Sequence, residues 1–414
     1  MNDRRKVLLG DTLAIVLAGG QGERLYPLTR DRGKPAVPFG GIYRIIDFTL
    51  SNCLNSGLRK IYVLVQYKSG SLERHIAIGW ASILSHELDE WIHTVPPMLR
   101  VGQRWYQGTA DAVYQNVYLL EQERPRRVVI LSGDHVYKMD YRQIVDRHEE
   151  RGALASVGAV EVPLGQASSF GVLEVDDDWR ITAFREKPKD PKPVPGKPDV
   201  ALVNMGVYCF ETEGLVRALS ADARRDSRHD FGYDILPSLV ETGKVFAHSF
   251  VDENRKQTLY WRDIGTLDSY FEASMDLVAV DPVFNLYDKA WPIRTAPRQL
   301  PPMKTVFAQE EPGGRLGVAL DSLVSGGAIV SGGRVERSVL GPEVRVNSYA
   351  RVHECVLMDG VDVGRHARLK RAIVDKGVRI PPGFVVGEDP EEDRRRFLVT
   401  DGGIVVIPRE ARLE

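Results

Sequence analysis

The chain has 414 residues, 43% of them apolar and 27% charged, which supplies enough hydrophobic material for large cores and argues against a disordered protein. A formal net charge of −2 gives no global attraction to nucleic acid or to an anionic membrane, so anion binding has to be local. Cys53, Cys209 and Cys355 are too few and too far apart for a disulfide framework or a cysteine metal cluster, which points to a reducing, cytoplasmic setting.

The opening stretch, residues 1–20, imitates a signal peptide, but Asp11 and Thr12 interrupt it and no run of about 20 apolar residues occurs anywhere. Leu13 to Leu17 reads as a buried strand, and residues 60–66, 127–133, 155–162 and 201–210 as further β-branched strands. Between the first two, Ile46, Leu50, Cys53, Leu54 and Leu58 recur at helical spacing, with Gly57 near the stop. Strands alternating with helices predict an α/β unit with a mixed, mostly parallel sheet and helices on both faces. Residues 170–184 read as a hairpin turned at Asp176 to Asp178, and the proline-rich stretch 187–199 as a stiff surface loop.

A second proline-rich stretch predicts a linker over 291–312, separating residues 1–290 from a unit at 313–414. In that unit Val344, Ala350, Val356, Val361, Ala367, Ile373, Val378 and Phe384 follow one another at hexad-like spacing, the mark of a parallel β-helix. An irregular antiparallel sheet is the alternative. Glu391, Glu392 and Asp393 followed by Arg394, Arg395 and Arg396 read as a solvated helix, and His353 and His366 as coil-surface residues.

Residues 17–41, LAGGQGERLYPLTRDRGKPAVPFGG, combine Gly19, Gly20, Gly22 and Gly33 with Arg24, Arg30, Arg32 and Lys34. The stretch lacks the Walker array, and as a dinucleotide fingerprint it fails at the third glycine. Glycine amides nesting a triphosphate, with Arg24 and Lys34 neutralising its outer charge, fit the composition. So does a plain strand-to-helix turn with a solvated basic face, and other segments have to decide. Asp134 follows a strand at its carboxyl end, where open sheets place ligand contacts, or else serves as a turn or cap residue. Asp263 reads as a loop residue ahead of a helix.

Together with YRIIDFTLSNCLNSG, WYQGTADAVYQN, SGDHVYKMDY, FREKP, HDFGYDILP, YWRDIGTLDSY, YDKAWPIRT and SLVSGGAIVSG, the glycine stretch resembles the sugar-phosphate nucleotidyltransferases, and among them the ADP-glucose pyrophosphorylase (glucose-1-phosphate adenylyltransferase) family, nearly end to end. The resemblance implies a Rossmann-like catalytic domain followed by a left-handed parallel β-helix. It implies ATP and glucose 1-phosphate as substrates, Mg2+ held by Asp134 and Asp263, and Arg24 and Lys34 on the leaving phosphates. Leu17, Ala18, Gly19, Gly20, Gly22, Gln66, Tyr106, Gly108 and Thr109 are the implied nucleotide contacts. Tyr106, Gly171, Glu186, Lys187, Asn204 and Asp230 are the implied sugar-phosphate contacts. A solvated Glu186–Lys187 pair leading into the proline loop is the bland alternative. His135 is not needed as a base, because a sugar phosphate is largely ionised at neutral pH with a second pKa of about 6.

The match departs in places. Met98 or Leu99 stands where a second adenine-side glutamine is expected, and Asn204 where many relatives have serine. The resemblance also implies a homotetramer controlled by phosphorylated metabolite or nucleotide effectors, with Arg32 and Arg44 at basic positions of that region, while Asp31 replaces a basic residue. A UDP- or GDP-sugar pyrophosphorylase and a non-catalytic regulatory subunit are the competing readings. The latter should have lost a carboxylate or a phosphate cation, and all six of Arg24, Lys34, Asp134, Glu186, Lys187 and Asp263 remain.

Overall fold

A computed structural model describes residues 9–98, 104–252, 257–309 and 311–413. The first apolar run forms the strand Thr12–Ala18, which lies within the sheet parallel to Lys60–Val65 on one side and Arg127–Ser132 on the other. Ala14 and Val16 point into one core and Leu13 and Ile15 into the other, so the strand carries no polar face. Helices Ile45–Ser56, Gly70–Gly79 and Tyr141–Glu150 pack into the first core; Thr109–Tyr114, Val117–Glu123 and Thr212–Asp222 pack into the second. Gly57, at φ 91°, stops the first of these helices.

Past Arg127–Ser132 the sheet becomes largely antiparallel. Val200–Glu211 pairs with that strand, with Ala155–Pro163 and with Gly171–Val175. Gly171–Val175 and Ile181–Glu186 form the expected hairpin, and the Asp176 carboxylate accepts the amides of Asp178 and Arg180 across its turn. Two strands of this sheet lie outside those predicted: Trp91–Val95, parallel to Lys60–Val65, and Val245–Ser249, parallel to Ala155–Pro163.

All eight hexad residues are buried, six of them in the coil's own core, whereas Val356 and Ile373, expected to face inward as well, pack outward against the α/β unit. Successive coils pair in parallel, Arg345 opposite Asp362 and Val356 opposite Ile373, and only Leu398–Val399 runs antiparallel, to Val405–Ile407, among the described strands of this unit; this excludes the irregular antiparallel alternative and gives the left-handed parallel β-helix. Its pairing starts earlier than the sequence implied. Lys304–Val306, inside the stretch read as a linker, pairs with Ile329–Ser331, because no proline falls between Pro302 and Pro312 to keep this backbone from pairing. Pro390–Arg396 is the expected short helix, and the Asp393 side chain turns inward to accept the Gly387 amide.

A third core joins the two parts. Leu25, Phe39, Phe48, Ile264 and Tyr270 from the α/β unit pack with Val356, Ile373, Ile404 and Val406 from the β-helix. Cys53, Cys209 and Cys355 are free and buried. No described helix is long and apolar enough to cross a membrane.

Candidate active site

The chain leaves Ala18 through the glycines and folds back over Lys34. Gly22 sits at φ 68°, and a Cβ there would stand 2.9 Å from the Lys34 Cβ, so this crossing needs glycine. Thr29 Oγ1 donates to the Gly22 carbonyl at 2.9 Å and holds the loop closed. Lys34 then opens the helical turn Lys34–Ala36 with its side chain directed inward.

Lys34 Nζ lies 2.8 Å from Asp134 Oδ2 and 2.8 Å from Asp263 Oδ1. Burial alone would lower the lysine's pKa, but the two carboxylates outweigh it and raise it. For Asp134 burial pushes upward, while the Lys34 ammonium and then His135 pull the carboxyl down to about 2. Both groups are therefore charged at neutral pH.

Asp263 reaches this position through a ladder that the sequence reading missed. Rather than lying in a loop, it ends the strand Trp261–Asp263, antiparallel to His135–Tyr137, with Asp263 opposite His135. His135 Nδ1 lies 3.0 Å from the Met205 carbonyl oxygen, which can only accept, so this nitrogen carries the hydrogen. His135 Nε2 is 3.5 Å from Asp134 Oδ1 and 3.7 Å from Asp263 Oδ1.

The ligand atoms of Asp134, His135 and Asp263 all lie within 4.8 Å of one another. Lys34 engages one oxygen of each carboxylate, leaving the second oxygen of each for another cation. A pair of carboxylates suits a hard divalent ion such as Mg2+. Arg24 is exposed on the same side. A Cβ at Gly265 would come within 3.1 Å of both Arg24 Nη2 and Asp263 Oδ2, so the bare backbone of Gly265 makes room for the two side chains.

A cleft of about 440 Å³ opens beside Lys34 and Asp134. Leu17, Gly19, Gly20, Gln66, Tyr106, Gly108, Thr109 and Asp230 line it, whereas Ala18 is buried and Gly22 lies against Lys34. Gln66 Nε2 donates to the Tyr106 carbonyl at 3.3 Å, and the Tyr106 hydroxyl accepts from Asn116 Nδ2 at 2.8 Å. Met98 is exposed, with its sulfur 3.6 Å from the Tyr118 hydroxyl, and Leu99 lies outside the described residues.

The second half of the predicted set gathers around Glu186. Cβ atoms at Gly171 and Gly232 would stand 2.6 and 2.5 Å from Glu186 Oε2, so two glycines clear space for that carboxylate. Lys187 Nζ is 3.1 Å from Glu186 Oε1 and half exposed. Asp230 accepts from Thr109 Oγ1 at 2.8 Å through one oxygen and from the Gly232 and Tyr233 amides through the other, tying this group to the cleft. Asn204 is more committed than expected: its Oδ1 accepts the Gly206 amide and its Nδ2 donates to the Tyr208 hydroxyl, across a bulge in the strand. Gly232 and Gly265 were not singled out from the sequence, although both stand in the motifs HDFGYD and YWRDIG.

The two basic positions of the expected effector region separate. Arg32 is buried and paired with Asp375 of the β-helix, at 2.5 and 2.6 Å. Arg44 instead lines a different cleft of about 580 Å³, together with Arg74, Arg298 and Lys376, and donates to Ser71.

Known proteins resemble the chain over nearly its whole length. Residues 13–279 match the family model described as nucleotidyl transferase, and residues 301–407 that of the GlmU-like C-terminal hexapeptide. The chain is 55% identical to the glucose-1-phosphate adenylyltransferase of Rhodopirellula baltica over 97% of its own length and 91% of the relative's. It is 54% identical to that of Koribacter versatilis (97% and 96%) and 51% identical to that of Methylococcus capsulatus (97% and 94%).

Proposed function

Since the chain belongs to the nucleotidyl transferase family, we propose that it transfers the adenylyl group of ATP to α-D-glucose 1-phosphate, releasing pyrophosphate and giving ADP-glucose, a glucosyl donor for glycogen or another storage α-glucan. The observation that carries this reading is Lys34, held between Asp134 and Asp263 at the edge of a cleft framed by the glycine loop.

A phosphate oxygen of glucose 1-phosphate is the nucleophile, already ionised at neutral pH, so His135 is not required as a base. It attacks the α-phosphorus of ATP in line as the bond to the bridging oxygen breaks, and that oxygen leaves with pyrophosphate. The amides of Gly19, Gly20 and Gly22 with Arg24 and Lys34 hold the departing β- and γ-phosphates, so catalysis is placement and charge neutralisation. Gln66, Leu17, Tyr106, Gly108 and Thr109 frame the nucleoside, with Ala18 buried behind them. Glu186 accepts sugar hydroxyl hydrogens, Lys187 meets the anomeric phosphate, and Gly171, Asn204 and Asp230 shape the space around them. Enzymes of this family generally use a divalent metal; Asp134 and Asp263 would hold Mg2+, which when bound neutralises charge on the reacting phosphate oxygens.

Residues 1–290 act as the catalytic unit, 291–303 as the connection and the β-helix from Lys304 onward as an assembly and control unit of a cytoplasmic homotetramer. The cleft beside Arg44, with its cluster of cations, is the candidate site for phosphorylated metabolite or nucleotide effectors, while Arg32 is held on Asp375. A pyrophosphate-release assay over a matrix of nucleoside triphosphates and sugar 1-phosphates, with and without such effectors, tests the reading. ATP with glucose 1-phosphate should exceed every other pair by more than about tenfold. A preference for UTP or GTP would overturn the substrate assignment, and no turnover with any pair would favour a non-catalytic subunit.

A further inference from the structure

Two ion pairs fasten the stretch before Lys34 to the β-helix. Arg32 Nη2 lies 2.5 Å from Asp375 Oδ1 and 2.6 Å from Oδ2, with side chains only 7% and 4% exposed. Arg30 Nη2 lies 2.5 Å from Glu410 Oε1 nearer the surface. The two acidic residues follow neighbouring strands, Arg368–Val374 and Val405–Ile407, in which Val374 stands opposite Ile407. The Asp375 amide donates to the Ile407 carbonyl at 3.0 Å, and Asp375 Oδ1 accepts the Lys376 amide at 2.7 Å, so the carboxylate rises from an anchored backbone.

Only Gly33 separates Arg32 from Lys34. Its carbonyl accepts the Ala36 amide at 3.0 Å, which ties it to the turn that carries Lys34, and a side chain on it would meet the Tyr67 carbonyl oxygen at 3.2 Å. Two residues span at most about 7 Å, so the anchored Arg32 bounds where Lys34 can stand. Lys34 in turn has to meet two carboxylates at 2.8 Å each. An apolar pair in place of Arg32 and Asp375 would stabilise a buried contact at least as well, but it would not fix direction as a charged hydrogen-bonded pair does.

We propose that Asp375 is a positioning residue for adenylyl transfer: through Arg32 it sets the place of Lys34 between Asp134 and Asp263, so that the far coil of the β-helix is part of the catalytic apparatus. This rests on the reading of Lys34 as the cation that meets the leaving phosphates.

The test uses the full-length enzyme. Asp375→Asn keeps the size and an acceptor oxygen but removes the charge; Arg32→Lys keeps the charge but removes the guanidinium, and serves if the first variant does not fold. Circular dichroism and hydrogen exchange over residues 368–374 report the folded fraction. Per folded enzyme, kcat should fall roughly 10- to 100-fold and the KM for pyrophosphate in the reverse reaction should rise, while the calorimetric Kd for glucose 1-phosphate stays within about twofold. A purely structural role would lower the melting temperature and leave kcat per folded enzyme within about twofold of the parent, which overturns the proposal. So does an equal loss of affinity for pyrophosphate and glucose 1-phosphate. Lys34→Ala, run alongside, separates the failures: if it keeps full turnover, the reading of Lys34 is wrong; if it is inactive while both Asp375→Asn and Arg32→Lys are not, only the positioning role is wrong.

Discussion

Lys34→Ala removes one ammonium that serves two carboxylates, and its consequences run in opposite directions. Each Lys34–carboxylate contact is 2.8 Å long. At an effective dielectric constant of about 20 such a contact carries an attraction on the order of 6 kcal/mol, of which solvation of the partly exposed Asp134 and Asp263 returns a large share. Losing one preorganised donor to developing charge costs about 3 to 4 kcal/mol, and an ammonium should cost at least that much. Turnover at saturating ATP and glucose 1-phosphate should therefore fall about 100- to 1,000-fold. Meanwhile Asp134 and Asp263 are left with their negative charge uncompensated, so the free enzyme should bind Mn2+ more tightly, by about tenfold if as little as ~1.4 kcal/mol of the lost attraction is recovered. Stopped-flow pyrophosphate release measures the first effect; titration with Mn2+ followed by electron paramagnetic resonance, without nucleotide, measures the second. Near-normal turnover would refute the role of Lys34, and unchanged or weaker Mn2+ binding would refute the shared carboxylate site.

Lys187→Ala should raise the KM for glucose 1-phosphate about 10- to 100-fold, as expected for losing a charge-assisted hydrogen bond, and leave the KM for ATP within about twofold; equal effects on both substrates would sink the assignment. Gly171→Ala places a methyl where Glu186 Oε2 stands 2.6 Å away, so steady-state kinetics should show the same selective loss without removal of any charged group. His148 is buried, with Ser156 Oγ at 3.0 Å from its Nδ1, and burial first, then the Arg127 charge, lower its pKa to about 4, while Glu149 opposes them. The unfolded chain titrates this group near 6.5, so between the two values it binds the extra proton and stability rises with pH. The contribution, on the order of 3 kcal/mol, is complete above about pH 6.5 and lost as pH falls toward 4. Melting temperatures of His148→Gln should depend less on pH across this window than those of the parent; identical profiles would contradict the buried neutral histidine.

The parts of the molecule that the sequence discloses are those in which neighbours along the chain act together. The strand Thr12–Ala18, the glycine loop and Asp134 at the end of Arg127–Ser132 are each local patterns, and a buried hexad recurs however the coil is viewed. Asp263 is different. Its three-residue strand has too few residues for any periodicity, and its position depends on a pairing with His135–Tyr137 that no local pattern encodes. Arg32 reads as one more cation in a basic loop because Asp375, the residue that buries it, lies 343 positions away. Asn204 reads as a ready hydrogen-bonding group because the bulge that occupies its amide forms only once three strands meet. The resemblance recovered Asp263 as a site residue, but not the ladder that carries it.

That short ladder also gives the centre a timetable. A ribosome building this chain releases the glycine loop and Asp134 early, and the strands around Thr12–Ala18 can begin to associate, yet the pair of acids stays incomplete until Trp261–Asp263 has emerged and paired. Nascent chains halted short of this point would hold much of the sheet and only one of the two carboxylates, so the site proposed for a divalent ion is completed near the close of the α/β unit's synthesis rather than accumulating along the way.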